Sequence, residues 1–578
     1  MAGRESFEVQ IHSDKRWTVI RVHDSQADAI ADAQASLKQR RDAEAVRVIR
    51  SWLRADGQST EKEVFAKKQD NPGKPVHVAA IDEAPWCAGL DDLYALPARR
   101  TLGRLLRSYL DSVTLTPTEL LHSHRALKPL LAHDTLLPAA LDRVATLQAQ
   151  SAEAPPGTDA RLRKEDLFRL ADQVSARAKR LADDGRLPEF DGENLAGLMV
   201  GIARVAAAEE RPFLVRGALA AYLGLATSWE AKLDRLLALF APDLPPEGAT
   251  ILDEILAEVL DAASVLHELL GPQPDLGAAL GTIARLGAGK MRELPRPPIG
   301  PLAQIDALLA AGRVPMCRSV LFERVRRELK SGRRLGGNGN GEGAAFAALF
   351  ALLHDGQGTV PEGLEMLEAI LDRAGRVFAP PDQPADPHQT LNGLAGLLAE
   401  AKARIRFLAG LAGTGFGAKH GDLVAERLGN VILPIKEIHE LCYFRDTPKK
   451  KMTDVTALER VLLAAPLPEA PRRRLVDKLD ALLAEFIKRE GIIEKLDHPD
   501  DSLKVRADRL VQFCASGLLI DGKALAIARE RTQALLRQPD FVAKYAAAVS
   551  DPREAETALR HFHTLLTKAG FSAQHLGR

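Results

Sequence analysis

FEVQIHSDKRWTVIRV, residues 7–22, decides how the fold begins. Phe7, Val9 and Ile11 alternate with polar neighbours, the period of a strand with one buried face. Ser13-Asp14-Lys15-Arg16 reads as a turn, and Trp17-Thr18-Val19-Ile20-Arg21-Val22 as the returning arm of a hairpin. Next outward, Asp24 and Ser25 can cap a helix running to about Gln39, with Ala27, Ile30, Ala33 and Leu37 as its apolar face. A second strand pair follows, Val46 to Arg54 and Ser59 to Lys67, around Ala55-Asp56-Gly57-Gln58. Its Asp-Gly step favours a hairpin because both central positions tolerate positive φ. The expected module is ββαββ, one helix packed on four strands.

Asn71-Pro72-Gly73 and Pro75 mark a linker, and beyond it the apolar period changes from two to about 3.6. Thr116-Pro117-Thr118-Glu119 combines a capping-box spacing with proline at the first helical position, where its missing N–H costs nothing. Thr359-Val360-Pro361-Glu362 has the same spacing, and Asp551-Pro552-Arg553-Glu554 follows the same logic. Leu391, Leu394, Leu398, Ala401, Ile405, Leu408 and Ala412 step by three and four, which predicts one helix from about Thr390 to Leu411. Ile251 to Leu270 and Arg474 to Ile487 are comparably amphipathic. No regular repeat emerges, so a solenoid is not expected.

The expected fold class is therefore mainly α: helical bundles or an irregular helical array in several domains, with a small N-terminal α+β (ββαββ) domain. A chain of 578 residues exceeds a single hydrophobic core. Its 46% hydrophobic content, with only 5% aromatic, rests on Ala, Leu, Val and Ile, which favours helix. Proline- and glycine-rich breaks divide it into an α+β domain at 1–70, a linker at 71–85 and a helical segment at 86–150. A helical domain at 160–294 and a segment at 302–378, containing a Gly/Asn loop at 335–343, follow. A C-terminal helical domain at 388–578 completes the set.

Composition removes several classes. Lys plus Arg (78) balance Asp plus Glu (78), which takes away the global attraction to a phosphate backbone and makes nucleic acid an unfavoured partner. Trp17 and Trp52 are too few for a base-stacking sheet. Cys87, Cys317, Cys442 and Cys514 form no CxxC pair and no disulfide framework, and read as buried hydrophobes in a reducing compartment. Met1 to Gln10 carries charge with no apolar run behind it. The longest uncharged stretch, Gly217 to Trp229, is about thirteen residues against the roughly 20 of a membrane span. A cytoplasmic protein is expected, and the Ala, Arg and Gly bias suits a GC-rich bacterial genome.

Candidate chemistry is sparse. Leu352-Leu353-His354-Asp355-Gly356 resembles the metal-binding step of the all-helical HD phosphohydrolase family. That resemblance implies a further His one or two helices upstream and a later Asp. No His lies between His267 and His354, so the likeness stops at two residues. His133-Asp134 has only His122 and His124 shortly before it, too close to come from another helix. The HxH pairs His122/His124 and His561/His563 diverge by about 200° on a helix and cannot share a metal. His439 and Cys442 share a face without a second pair. Gly413 to His420 lacks the Gly-Lys-Ser/Thr end of a phosphate loop and reads as a flexible loop ending a helix. Gly281 to Lys290 lacks the correct first glycine and is followed by Met291.

The strongest charged feature is Arg318, Arg324, Arg326, Arg327, Lys330, Arg333 and Arg334, offset only in part by Glu323 and Glu328. Of these, Arg324, Arg326, Arg327, Lys330, Arg333 and Arg334 are the candidate residues for an anion or a partner surface, since guanidinium forks grip phosphate and carboxylate in pairs. A solvated helix end, where cations favour the C-terminal dipole, is the structural alternative. Lys449-Lys450-Lys451 and Arg472-Arg473-Arg474 are lesser runs of the same kind. With no assembled catalytic set, cofactor or metal expected, the leading expectation is a non-catalytic adaptor or scaffold, regulatory in character, that contacts protein partners or itself. The alternatives are an intracellular sensor or enzyme for a phosphorylated small molecule or nucleotide, using the Arg-rich helix, and nucleic-acid binding.

Overall fold

The computed structural model describes residues 5–13, 16–39, 45–53, 59–68, 77–183, 185, 187–337, 341–379 and 383–571. They contain 28 α-helices and one four-stranded antiparallel sheet, so helix builds everything after the N-terminal module. The chain forms two compact units, Met1–Arg186 and Leu187–Arg578.

The module runs β1 (Glu5–Ser13), β2 (Arg16–His23), α1 (Gln26–Gln39), β3 (Ala45–Leu53) and β4 (Ser59–Lys68), the expected ββαββ order. The sheet order is β2-β1-β3-β4, every neighbouring pair antiparallel. Phe7, Val9 and Ile11 of β1 meet Val46 and Val48 of β3 under α1, so alternate residues of the two central strands form the core. The face of α1 is rotated from expectation. Ala29, Ala33 and Leu37 are buried with Ile30 packed beside them, while Ala27 is exposed. Asp32 on α1 ties down β2 by accepting from Arg21 at 2.9 Å and meeting His23 Nε2 at 3.0 Å. Both edge strands carry a bulge, with Ile20 the extra residue of β2 and Val64 that of β4. Asp14 and Lys15 of the first expected turn, and all of the second at 55–58, lie outside the described residues, as does linker segment 71–76.

In the rest of the first unit, Thr116 and Glu119 make the expected capping box at 3.1 and 2.8 Å and start the Pro117–His122 helix. The Ala160–Asp183 helix packs back on Leu136–Gln150, so the Ser151–Asp159 break is a turn inside this unit. Buried Arg163 joins them, donating to Gln148 Oε1 at 2.7 Å while its guanidinium lies 4.1 Å from the Trp86 ring centroid.

Four expectations in the second unit are corrected. The Thr390–Leu411 stripe is two helices, Pro387–Gly396 and Ala401–Ala412. The first ends at a residue of poor helix propensity, Gly396, yet Leu391, Leu394, Leu398, Ile405, Leu408 and Ala412 all remain buried. Ile251 to Leu270 likewise divides into Pro246–Leu260 and Ala263–Leu270, breaking at Asp261, whose side chain and carbonyl receive arginines from another helix. Thr359 caps no helix. Its N–H and hydroxyl donate to Asp355, and the next helix, Leu364–Phe378, starts after Gly363. Gly413 to His420 is mostly the first turns of a helix, Gly415–Ile432, capped by the Thr414 hydroxyl. Gly417 belongs there because a Cβ would come within 2.3 Å of the Ala412 carbonyl oxygen. The Asp551 cap stands as expected.

Candidate functional site

The Arg-rich segment occupies the Pro315–Lys330 helix and the turn after it. Val320, Leu321, Val325 and Leu329 bury one side, which leaves the arginines at its flanks. Most of the candidates have partners within the chain. Arg324 donates to the Asp261 carbonyl at 3.3 Å, and Arg327 to the Asp261 carboxylate at 3.2 Å. Arg326 pairs with Glu365, and Arg333 with Glu328 at 3.3 Å. Lys330 and Arg334 are exposed. An anion arriving here would compete with carboxylates already in place.

Two arginines on the Leu364–Phe378 helix, absent from the sequence reading, organise this end. Arg373 is 3% exposed and donates to the carbonyls of Glu328 (2.7 Å), Leu329 (3.0 Å), Ser331 (3.0 Å) and Arg333 (2.8 Å). Arg376 adds bonds to Leu329 and Ser331. These are the carbonyls that a helix C-terminus leaves without intrahelical donors. Glu342 completes the arrangement, accepting from Arg373 at 3.1 Å and from the N–H groups of Leu335 (2.7 Å) and Gly336 (3.2 Å). Only the placement of Arg373 inside an apolar stripe, between Ile370 and Ala374, hints at this role in the sequence. Residues 338–340 of the Gly/Asn loop lie outside the described residues.

The histidine motifs form turns and local contacts. His354 Nδ1 accepts from the Gly356 N–H at 3.0 Å, and burial lowers its pKa against the opposing charge of Asp355. Asp355 accepts from Gln357 and Thr359, whose bonds outweigh the effect of burial and hold its pKa low. His133 Nδ1 accepts from the Leu136 N–H, and His439 meets Glu437 at 2.8 Å. Among the described residues no group of three or more His, Cys, Asp or Glu could hold a metal ion. The lesser basic runs are largely internal too, with Lys450 on Asp454 at 3.0 Å and Arg473 on Glu469. The Gly415 N–H donates to Glu368 beside a cavity of about 490 Å³ that Arg376, Lys419 and His420 also line. All four cysteines are free and buried, and burial pushes the thiols of Cys87 and Cys442 to about 11.

The sheet presents a different kind of surface. Opposite α1, its open face carries Trp17, Val19 and Val22 of β2 at 40%, 47% and 58% exposure. Beside them runs a polar chain in which Arg47 donates to Gln10 (2.9 Å) and Gln10 to Glu8 (3.1 Å). The Arg47 guanidinium lies 4.3 Å from the Trp17 ring centroid, and the His12 ring centroid is 5.0 Å from that of Trp17. On the other face, the one that α1 covers in part, Trp52 sits under Arg50 at 4.9 Å. The two edges differ in charge: β4 contains Glu61, Lys62, Glu63, Lys67 and Lys68, whereas β2 contains Arg16, Arg21 and His23.

Compared with protein-family models, curated proteins and solved structures, the chain matches none. Among the described residues no helix is long and apolar enough to cross a membrane.

Proposed function

We propose that this chain is a cytoplasmic adaptor or scaffold working through protein–protein contact, with β2 of the N-terminal module as a docking edge for a second copy. The observation that supports this is the exposed, uncharged row Trp17, Val19 and Val22 on an edge strand. An unpaired edge offers a line of N–H and C=O groups, and proteins ordinarily guard such edges with charge. Both edges here are bulged, so backbone geometry does not separate them. Side-chain charge does, because β4 is rich in Lys and Glu and β2 is not.

A two-fold interface must fit itself, and an uncharged apolar row does so without like-charge repulsion. An antiparallel pairing of two β2 strands brings Trp17, Val19 and Val22 of both copies onto one face of a continuous sheet. Arg21 stays engaged with Asp32 on the other side of the sheet. Four free, buried cysteines suit a reducing compartment.

Sedimentation of the full chain over a wide concentration range tests the reading. The wild type is expected to dimerise. Val19→Lys, at a half-exposed position where surface substitutions change stability by about 0.5 kcal/mol or less, is expected to remain a folded monomer. A wild type that stays monomeric throughout, or a Val19→Lys variant that dimerises equally well, overturns it.

A further inference from the structure

The C-terminal part of the second unit contains a cavity of about 540 Å³, bounded by the Pro448–Ala464, Ile492–Leu496 and Leu503–Ala515 helices and the turn after the last. That volume falls in the range of small-molecule sites, roughly 300–1,000 Å³. Its lining is divided by chemistry. Ile492, Leu496 and Phe513 supply an apolar part, while Lys449, Arg460 and Arg509 supply cations, and no carboxylate lines it. The cations are held in place: Arg460 donates to the Gly517 carbonyl, and Arg509 pairs with Asp501 at 2.5 Å beyond the lining.

A second, independent observation concerns Thr456. It lines the cavity and is 1% exposed, and its hydroxyl oxygen has no hydrogen-bond partner among the described residues. A helical threonine commonly donates to the carbonyl four residues back, as Thr453 does to Lys449 at 2.9 Å on the same helix. A buried hydroxyl without a partner costs about 1–3 kcal/mol, so one left facing a cavity is a donor awaiting an acceptor.

We propose that this cavity binds a small organic anion, an apolar or aromatic body carrying a phosphate or carboxylate group. The body packs on Phe513, Ile492 and Leu496. The anionic group accepts from the Thr456 hydroxyl and is balanced by Lys449, Arg460 and Arg509. Charge-assisted bonds to such donors are about twice as strong as neutral ones, which gives the charged end of the ligand its selectivity. This proposal does not draw on strand β2 and stands whether or not the chain dimerises.

The test titrates the full chain with 1-naphthyl phosphate by calorimetry, against 1-naphthol as the body alone and inorganic phosphate as the head alone. Naphthyl phosphate is expected to bind at least tenfold more tightly than either. 1-Naphthoate in a parallel titration separates carboxylate from phosphate, and preference for either anion over naphthol supports the site. Thr456→Val removes an oxygen without a hydrogen-bond partner among the described residues, so the variant is expected to melt no lower than wild type while binding the anion severalfold more weakly. Lys449→Gln is expected to weaken the anion and leave naphthol unchanged. Equal affinity for naphthyl phosphate and naphthol, or both variants binding as wild type does, overturns the proposal.

Discussion

Glu459 lies on the buried face of the Pro448–Ala464 helix, fully buried, with neither carboxylate oxygen hydrogen-bonded among the described residues. Burial raises its pKa to about 8 from an ordinary 4.5; the nearby charge of Asp480 adds to the rise and Arg460 opposes it. The folded state therefore holds this proton more tightly than the unfolded chain does. The resulting stability is fully present below about 4.5, declines as pH rises, and is gone once pH passes about 8. A shift of this size is worth on the order of a few kcal/mol at most. Glu459→Gln mimics the protonated carboxyl, so its melting temperature is expected to exceed that of wild type at about pH 8 and to converge with it near pH 4.5. Thermal melts across that window check this, and a constant difference between the two proteins would remove the titration from the account. In the sequence Glu459 is an ordinary glutamate between Leu458 and Arg460. Its burial follows from the Glu469–Arg489 helix packed against it, a contact that no local pattern encodes.

At the scale of elements, the end of the Pro315–Lys330 helix depends on a neighbouring helix. Arg373 supplies donors to four carbonyls and one carboxylate from a site almost closed to water. Burial lowers its pKa and the nearby Arg376 charge adds to that, while Glu342 and Glu328 partly restore it. Arg373→Met keeps most of the volume but strands those carbonyls and Glu342. A loss of about 3 kcal/mol or more is expected. Chemical denaturation measures the loss, and faster amide hydrogen exchange at Leu335 and Gly336 locates it. Unchanged exchange there would mean that Glu342 holds the turn alone. The Arg-rich run was legible as charge from the sequence, but its partners were not, because Asp261 and Glu365 lie far away along the chain. Helix division was also partly hidden. Break residues such as Leu398 keep the apolar step of the helices on either side, so the pattern reads as continuous.

At the scale of the whole molecule, the chain is two compact units with a boundary at Arg186–Leu187. Within the first, the core under α1 and the helical core around Ala145, Leu167 and Leu170 share no residue. Units with their own cores ordinarily unfold as separate cooperative steps, so scanning calorimetry of the full chain is expected to resolve more than one transition. A single transition whose calorimetric and van't Hoff enthalpies agree would show the chain unfolding as one body.

Local chemistry was enough to specify the ββαββ order, the Thr116 and Asp551 caps and the helical character of all that follows. Strand alternation, capping oxygens and helical periodicity act over a few residues and leave their mark in the sequence. Which strand became an edge, which arginines lost their freedom to nearby carboxylates, and which threonine and glutamate were buried without a hydrogen bond among the described residues were decided by packing. Those outcomes depend on what arrives from tens of residues away, and the chemistry of Val19, Arg373, Thr456 and Glu459 was set only when it did.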